Sequence, residues 1–134
     1  RALPLRHSSE SSIGLKIFTS RFVMGYSSDT AYSADLVQEF KDVDLLLLHV
    51  VSPGENKIPY SLCTEDAKKI IAAVKPKLAL LSGFGIKMLN DDPLEEARSI
   101  QRATGVETLA AKDGMVLNLA SHSVNLRQRT LNLY

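Results

Sequence analysis

Apolar and polar positions alternate between Ile13 and Thr19, with Ile13, Leu15 and Ile17 on one side and Gly14, Lys16 and Phe18 on the other. That period of two predicts a strand buried on one face. Ser20-Arg21 reads as a tight turn, and Phe22 to Tyr26 as the returning arm of a hairpin. From Ser33 to Lys41 the spacing changes to that of a helix, with Leu36, Val37 and Phe40 on one face and Ser33 as its cap. Val43 to Val51 is continuously apolar and predicts a strand covered on both faces. Ser52 to Cys63 contains Pro53, Gly54 and Pro59 and predicts a loop, long enough to expect a function for it.

The second half follows the same rhythm. Thr64 is the expected N-cap of a helix with Glu65 and Asp66 in its first turn, Ala67, Ile70, Ile71 and Val74 on its apolar stripe, and Pro76 beyond its end. Lys77 to Ser82 predicts a short buried strand, broken by Gly83-Phe-Gly85. Asp92 as cap, Pro93 at the first helical position and Gly105 just past the end delimit a third helix. Val106 to Ala111 and Met115 to Leu119 are expected to close as a hairpin around Lys112-Asp-Gly114. The tail from Ala120 to Tyr134, with Leu126, Leu131 and Leu133, is read as able to form a short helix.

The resulting order, ββ-α-β-α-β-α-ββ, predicts an α/β fold with a mixed sheet and helices packed on one face, residues 1–134 forming a single domain with 120–134 as its tail. The other face would then be bare, carrying residues such as Leu46 and Leu48. Large contiguous apolar patches are rare on soluble monomers. A missing segment or a second copy of the chain is therefore expected to cover the sheet.

Composition narrows the function. Sixteen Lys and Arg against 15 Asp and Glu give a formal net charge of +1, with the signs interspersed, so there is no basic field to attract nucleic acid. Aromatic residues make up 6% of the chain and no stacking platform with basic residues between them is visible. No apolar run is long enough to span a membrane, and no signal peptide is expected. Cys63 is alone, which excludes an internal disulfide and a cysteine-based zinc site, and fits a reducing, cytoplasmic setting. The first residue is Arg1 rather than Met, so the chain is expected to be a processed product or part of a longer one.

The stretch Phe22-Val-Met-Gly-Tyr-Ser-Ser-Asp-Thr-Ala-Tyr-Ser33 places an acid, Asp29, on a polar turn at the end of a strand, where α/β proteins put metal ligands. The remaining candidates are His7, His49, Ser61, Cys63 and the Ser82-Gly-Phe-Gly85 turn. Each has a simpler reading. His7 is also what an exposed polar loop would carry, and Asp29 what a turn would carry. His49 lies inside an apolar strand and is expected to be a buried, hydrogen-bonded structural residue. Ser61 has no base near it in sequence. Cys63 is expected to be a buried, inert thiol. Gly83 and Gly85 leave room for a phosphate to approach the backbone, though two spaced glycines alone say little. Asp113-Gly114 is turn chemistry, and His122 is expected to be solvated.

Taken together, Arg6-His-Ser-Ser9, Ile13-Gly14, Gly25-Tyr-Ser-Ser-Asp-Thr30, Leu62-Cys-Thr-Glu-Asp-Ala67, Leu80-Leu-Ser-Gly-Phe-Gly85 and Ala111-Lys-Asp-Gly-Met115 resemble the C-terminal half of a metallo-β-lactamase-fold hydrolase. The resemblance runs from His7 to about Leu119 and is strongest to archaeal members related to the tRNA 3′-processing nuclease branch. It implies half of an αβ/βα sandwich, in which two sheets face each other with helices outside. It implies two zinc-like ions, with His7 as a ligand and Asp29 as the bridging, catalytic carboxylate. It also implies a His-x-His-x-Asp-His cluster in the N-terminal half, of which nothing is present here. Two further histidines of the pattern fall at Ser61 and Gly83 and are replaced.

Catalytic zinc needs about three protein ligands and an open position for water. With two, the chain by itself is expected to be inactive. Zinc or another divalent ion is expected if a partner segment completes the site; the alternative expectation is that this chain holds none. Two functions stay open: part of a metal-dependent (phospho)ester hydrolase, or a degenerate module that keeps the fold for binding or assembly.

Overall fold

The computed structural model describes residues 1–8 and 12–118, and the backbone of 123–126. Three short strands begin the chain: β1 (Ala2–Pro4), β2 (Ile13–Phe18) and β3 (Val23–Tyr26). Thr19 turns β2 into β3: its hydroxyl accepts from the Arg21 and Phe22 amides and donates to the Phe22 carbonyl. After α1 (Ala34–Glu39) come β4 (Leu45–Ser52), β5 (Leu62–Cys63), α2 (Thr64–Val74), β6 (Leu78–Ser82), α3 (Ile86–Asn90), α4 (Pro93–Thr104), β7 (Thr108–Ala110), β8 (Met115–Asn118) and β9 (Ser123–Leu126).

The main sheet runs β1-β2-β3-β4-β6-β7, with β5 pairing the far end of β4. β1, β2 and β3 pair antiparallel, and β3, β4, β6 and β7 pair parallel. Each parallel step is a crossover through helix, which is why the strands advance steadily across the sheet. Leu36 and Phe40, Ile70 and Ile71, Met88, and Ala97 and Ile100 pack with Leu3, Leu46, Leu48, Val50, Ala79 and Leu81 in one core. The helices therefore cover one face, as the sequence pattern predicts.

The phase of β4 corrects the expectation for the bare face. Leu46 and Leu48 are fully buried beneath the helices. The opposite face carries Leu47, His49 and Val51, all only partly buried. Register extends this face to Leu15, Tyr26, Met24, Leu80 and Leu109. At its margin Ile13 and Ile17 are exposed. A run of four leucines carries no alternation, so its phase is set by tertiary packing.

Other boundaries differ in detail. Cys63, not Thr64, takes the N-cap position of α2, because it is the last residue with extended backbone; Thr64 is already helical. Asp92 caps α4 through its carboxylate to the Leu94 amide, with Pro93 first in the helix and Gly105 in left-handed conformation at its end, as expected. The helix α3 is unannounced in the sequence, because its N-cap is Gly85 and it lasts barely more than one turn. The expected 106–119 hairpin does not form. The Lys112-Asp-Gly114 turn is there, but β7 pairs parallel with β6 and β8 pairs antiparallel with β9. Within the tail read as a helix, Ser123–Leu126 is strand; the rest of it, including His122, lies outside the described residues. No helix among the described residues is long and apolar enough to cross a membrane.

Candidate functional site

β1, β3, β4, β6 and β7 run in one direction, so their carboxyl ends share one edge of the sheet. In α/β sheets that edge is where loops build sites. His7 follows β1, Asp29 follows β3, His49 lies near the end of β4, and Gly83 follows β6.

His7 and Asp29 meet. The His7 Nε2 lies 3.3 Å from Asp29 Oδ2, with both side chains about a quarter to a third exposed. The contact is held from the backbone. Thr30, almost fully buried, accepts the Arg6 amide on its hydroxyl at 3.1 Å, and the Ala31 amide donates to the Arg6 carbonyl at 2.8 Å. The 6–8 segment is thus laced to the 29–31 turn. Ser28 turns the chain with φ of +52°. Ser33 caps α1, its hydroxyl accepting from the Leu36 amide at 3.1 Å.

Asp29 has a second, telling feature: its Oδ1 is buried and has no hydrogen-bond partner. A buried carboxylate oxygen without a partner is costly, so it points to a ligand. A histidine nitrogen and a carboxylate oxygen on one zinc each sit about 2.0–2.2 Å from it, which sets them roughly 3.0–3.5 Å apart. The His7–Asp29 pair has that spacing, and the two residues fit a divalent ion. They are two ligands where about three are needed. Among the described residues no group of three or more His, Cys, Asp or Glu side chains is placed to hold an ion.

Sequence reasoning missed Tyr60. The 53–61 loop folds back over the edge and sets the Tyr60 ring 6.4 Å from that of His7, at a tilt of 59°. Tyr60 itself is in left-handed conformation, φ +63°. The signal was the length of the loop, which named no residue. Ser61 beside it donates its amide to the Ile58 carbonyl at 3.2 Å. Cys63 is buried, and burial pushes its thiol pKa up, in keeping with the inert thiol expected. Its Sγ donates to Asp66 at 3.3 Å.

His49 departs from expectation. It is half-buried on the face away from the helices, and its ring nitrogens make no hydrogen bond among the described residues. Its backbone amide donates to Ser27 Oγ at 3.0 Å, joining it to the turn that carries Asp29. Its ring packs on Gly83: a Cβ at that glycine would come within 2.3 Å of three ring atoms. Beyond Gly83 an open groove of about 520 Å3 is lined by Phe84, Leu89, Leu94, Ala111 and Lys112.

The chain is 31% identical over 121 residues to MJ1374, an uncharacterized protein of Methanocaldococcus jannaschii, a match covering 89% of this chain and 45% of that one. No family model matches. Among solved structures it is similar to the metallo-β-lactamase fold protein YhfI from Bacillus subtilis (TM-score 0.73, 15% identity, 83% of this chain and 45% of that chain). It is also similar to Igni18, a metallo hydrolase from the archaeon Ignicoccus hospitalis (TM-score 0.66, 18% identity, 83% and 48%), and to a diphosphatase from the PhnP family (TM-score 0.63, 16% identity, 88% and 42%). The chain spans about half the length of the curated relative it matches and of these structures. It has the metallo-β-lactamase fold over that half.

Proposed function

We propose that this half of a metallo-β-lactamase fold contributes His7 and Asp29 to a divalent-metal centre for (phospho)ester hydrolysis. The observation that carries the reading is the Asp29 carboxylate. One oxygen is at ligand-sharing distance from His7 Nε2, and the other is buried without a partner. Zinc or another divalent ion, when bound, polarises the scissile group and lowers the pKa of water at the site. The chain's own part is positional: Thr30 fixes the 6–8 segment, so the imidazole and carboxylate are held for the ion rather than recruited by it.

The remaining ligands come from a segment that covers the face of Leu47, Leu80 and Leu109. The support is the partial span of the matches and the apolar character of that face. Without that segment the chain is inactive. A second reading, an assembly module without catalysis, draws on Gly83, whose backbone leaves no room for a histidine side chain.

The test supplies the completing segment with zinc or manganese and assays a generic phosphodiester such as bis(4-nitrophenyl) phosphate. Metal-dependent turnover lost in Asp29→Asn supports the hydrolase. A folded, metal-loaded assembly with no turnover on phosphodi- or monoesters supports the module.

A further inference from the structure

We propose that the 53–61 loop is a strap closed over His7 and held shut by one ion pair, Lys57 on Asp66, with Tyr60 as the cover. The proposal concerns access to this edge and stands whichever group the edge binds.

The loop is firmly tied at its start. The Gly54 amide donates to Glu96 Oε2 at 3.2 Å, and the Gly54 carbonyl accepts the Glu65 amide at 3.1 Å. Ser52 Oγ donates to the Asn56 carbonyl. Further along the ties thin out. Residues 55–60 are all exposed, and the Ser61 amide bonds back to the Ile58 carbonyl within the loop itself. Among the described residues the tip has one ion pair to the body of the fold: Lys57 Nζ lies 3.6 Å from Asp66 Oδ1.

That pair is lopsided. The Asp66 side chain is 5% exposed and that of Lys57 68%. Asp66 Oδ1 is buried and accepts no hydrogen bond, while Oδ2 accepts the Cys63 thiol at 3.3 Å. Asp66 lies in the first turn of α2, which favours its charge but leaves Oδ1 unbonded. A buried carboxylate oxygen needs a partner. The ammonium that serves it belongs to the exposed loop. When the tip lifts, water takes the place of the ammonium, so opening costs little. An ion pair with one exposed partner is weak and is screened by salt.

The tip also carries a reason to lift. Tyr60 has φ of +63°, which is unfavourable for a bulky residue. It stands 6.4 Å from the His7 ring, yet it remains exposed, as does Ile58 near it. A segment with so little buried apolar surface opens locally without unfolding the rest. What keeps Tyr60 over His7 is therefore the ion pair three residues before it.

The experiment measures how fast diethyl pyrocarbonate acylates His7 in the assembled protein, read by peptide mass spectrometry. EDTA is present, so that no ion shields the ring and the result is independent of the metal reading. His49, whose ring packs on Gly83, is the internal control. In the parent the His7 rate rises as salt is raised from about 0.02 to 0.5 M. Lys57→Met is labelled at His7 roughly 2- to 5-fold faster than the parent at low salt, the shift in open population that a partly exposed ion pair produces, and no longer responds to salt. Lys57→Arg keeps the charge and behaves as the parent. Tyr60→Gly removes both the ring and the strain, and is labelled fast at every salt concentration. The His49 rate is unchanged throughout. Equal His7 rates in the parent and Lys57→Met, or a salt response that persists in Lys57→Met, overturn the proposal. A rise shared by His7 and His49 in Lys57→Met overturns it too, because the pair then supports the fold as a whole.

Discussion

The imidazole of His49 lies where a side chain on Gly83 would begin, so the two residues exclude any substitution at 83 that keeps the ring in place. His49 lies on β4 and Gly83 directly follows the adjacent β6, one residue past the pair of His49 with Ser82. Gly83→Ala is expected to destabilise the chain by more than the left-handed backbone alone costs, about 1–2 kcal/mol, because the methyl also meets the ring. His49→Ala in the same background removes the clash and recovers that extra part. Urea unfolding of the four proteins of this cycle gives the coupling, expected at about 0.5–3 kcal/mol; additive single effects would show that the ring does not depend on Gly83.

Thr30 is the second structural hinge of the site. Its hydroxyl accepts the Arg6 amide and donates within the same turn. Thr30→Val keeps the shape and removes both bonds, with an expected loss of about 0.5–1.5 kcal/mol for each bond lost at this part-buried site. Thr30→Ser should retain most of the stability. In the assembled protein Thr30→Val should also weaken zinc binding, because His7 is no longer held against Asp29. Equal stability of the valine and serine variants would contradict this account of Thr30.

The two faces of β4 should respond oppositely. Leu48 is fully buried beneath the helices, and Leu48→Ala is expected to cost about 2–5 kcal/mol in this chain. Leu47 faces the open side, and Leu47→Ala should cost clearly less in the chain alone. Joined to its completing segment, Leu47→Glu should block association while Leu47→Ala is tolerated. Measured by urea unfolding and light scattering, a larger loss at 47 than at 48 would reverse the face assignment.

Asp44 gives a pH test. A hydrogen bond from Lys77, whose Nζ lies 2.7 Å away, is the largest cause of its lowered pKa; the Val23 amide, at 2.8 Å, adds to it. A carboxyl with a depressed folded pKa stabilises the fold above its unfolded pKa of about 3.9. That contribution is lost as pH falls through the lower folded value. Lys77→Met should therefore reduce stability at pH 7 and flatten the acid end of the stability curve below about pH 4. An unchanged profile between the parent and Lys77→Met would show that the pair contributes nothing.

Much of this fold was legible because its signals are local. Ser33, Asp92, Pro93 and Gly105 mark helix ends through bonds made within a few residues, and each stands where it was expected. Asp29 was legible as an acid on a turn, and the structure adds that His7 reaches it. What escaped depends on distant parts of the chain. The Lys112-Asp-Gly114 turn names a reversal but not the partners of the strands beside it. The leucine run of β4 has no alternation to show which side the helices take. Tyr60 meets His7, and His49 meets Gly83, only because the sheet brings four separated segments to one edge.

The most direct measurement of the central claim is zinc per chain in the assembled protein, parent against Asp29→Asn, by elemental analysis after exhaustive dialysis. The His7–Asp29 reading predicts zinc retained by the parent and at least one equivalent lost in the variant, with the fold unchanged by circular dichroism. Equal zinc in both, or none in a folded parent, would contradict it.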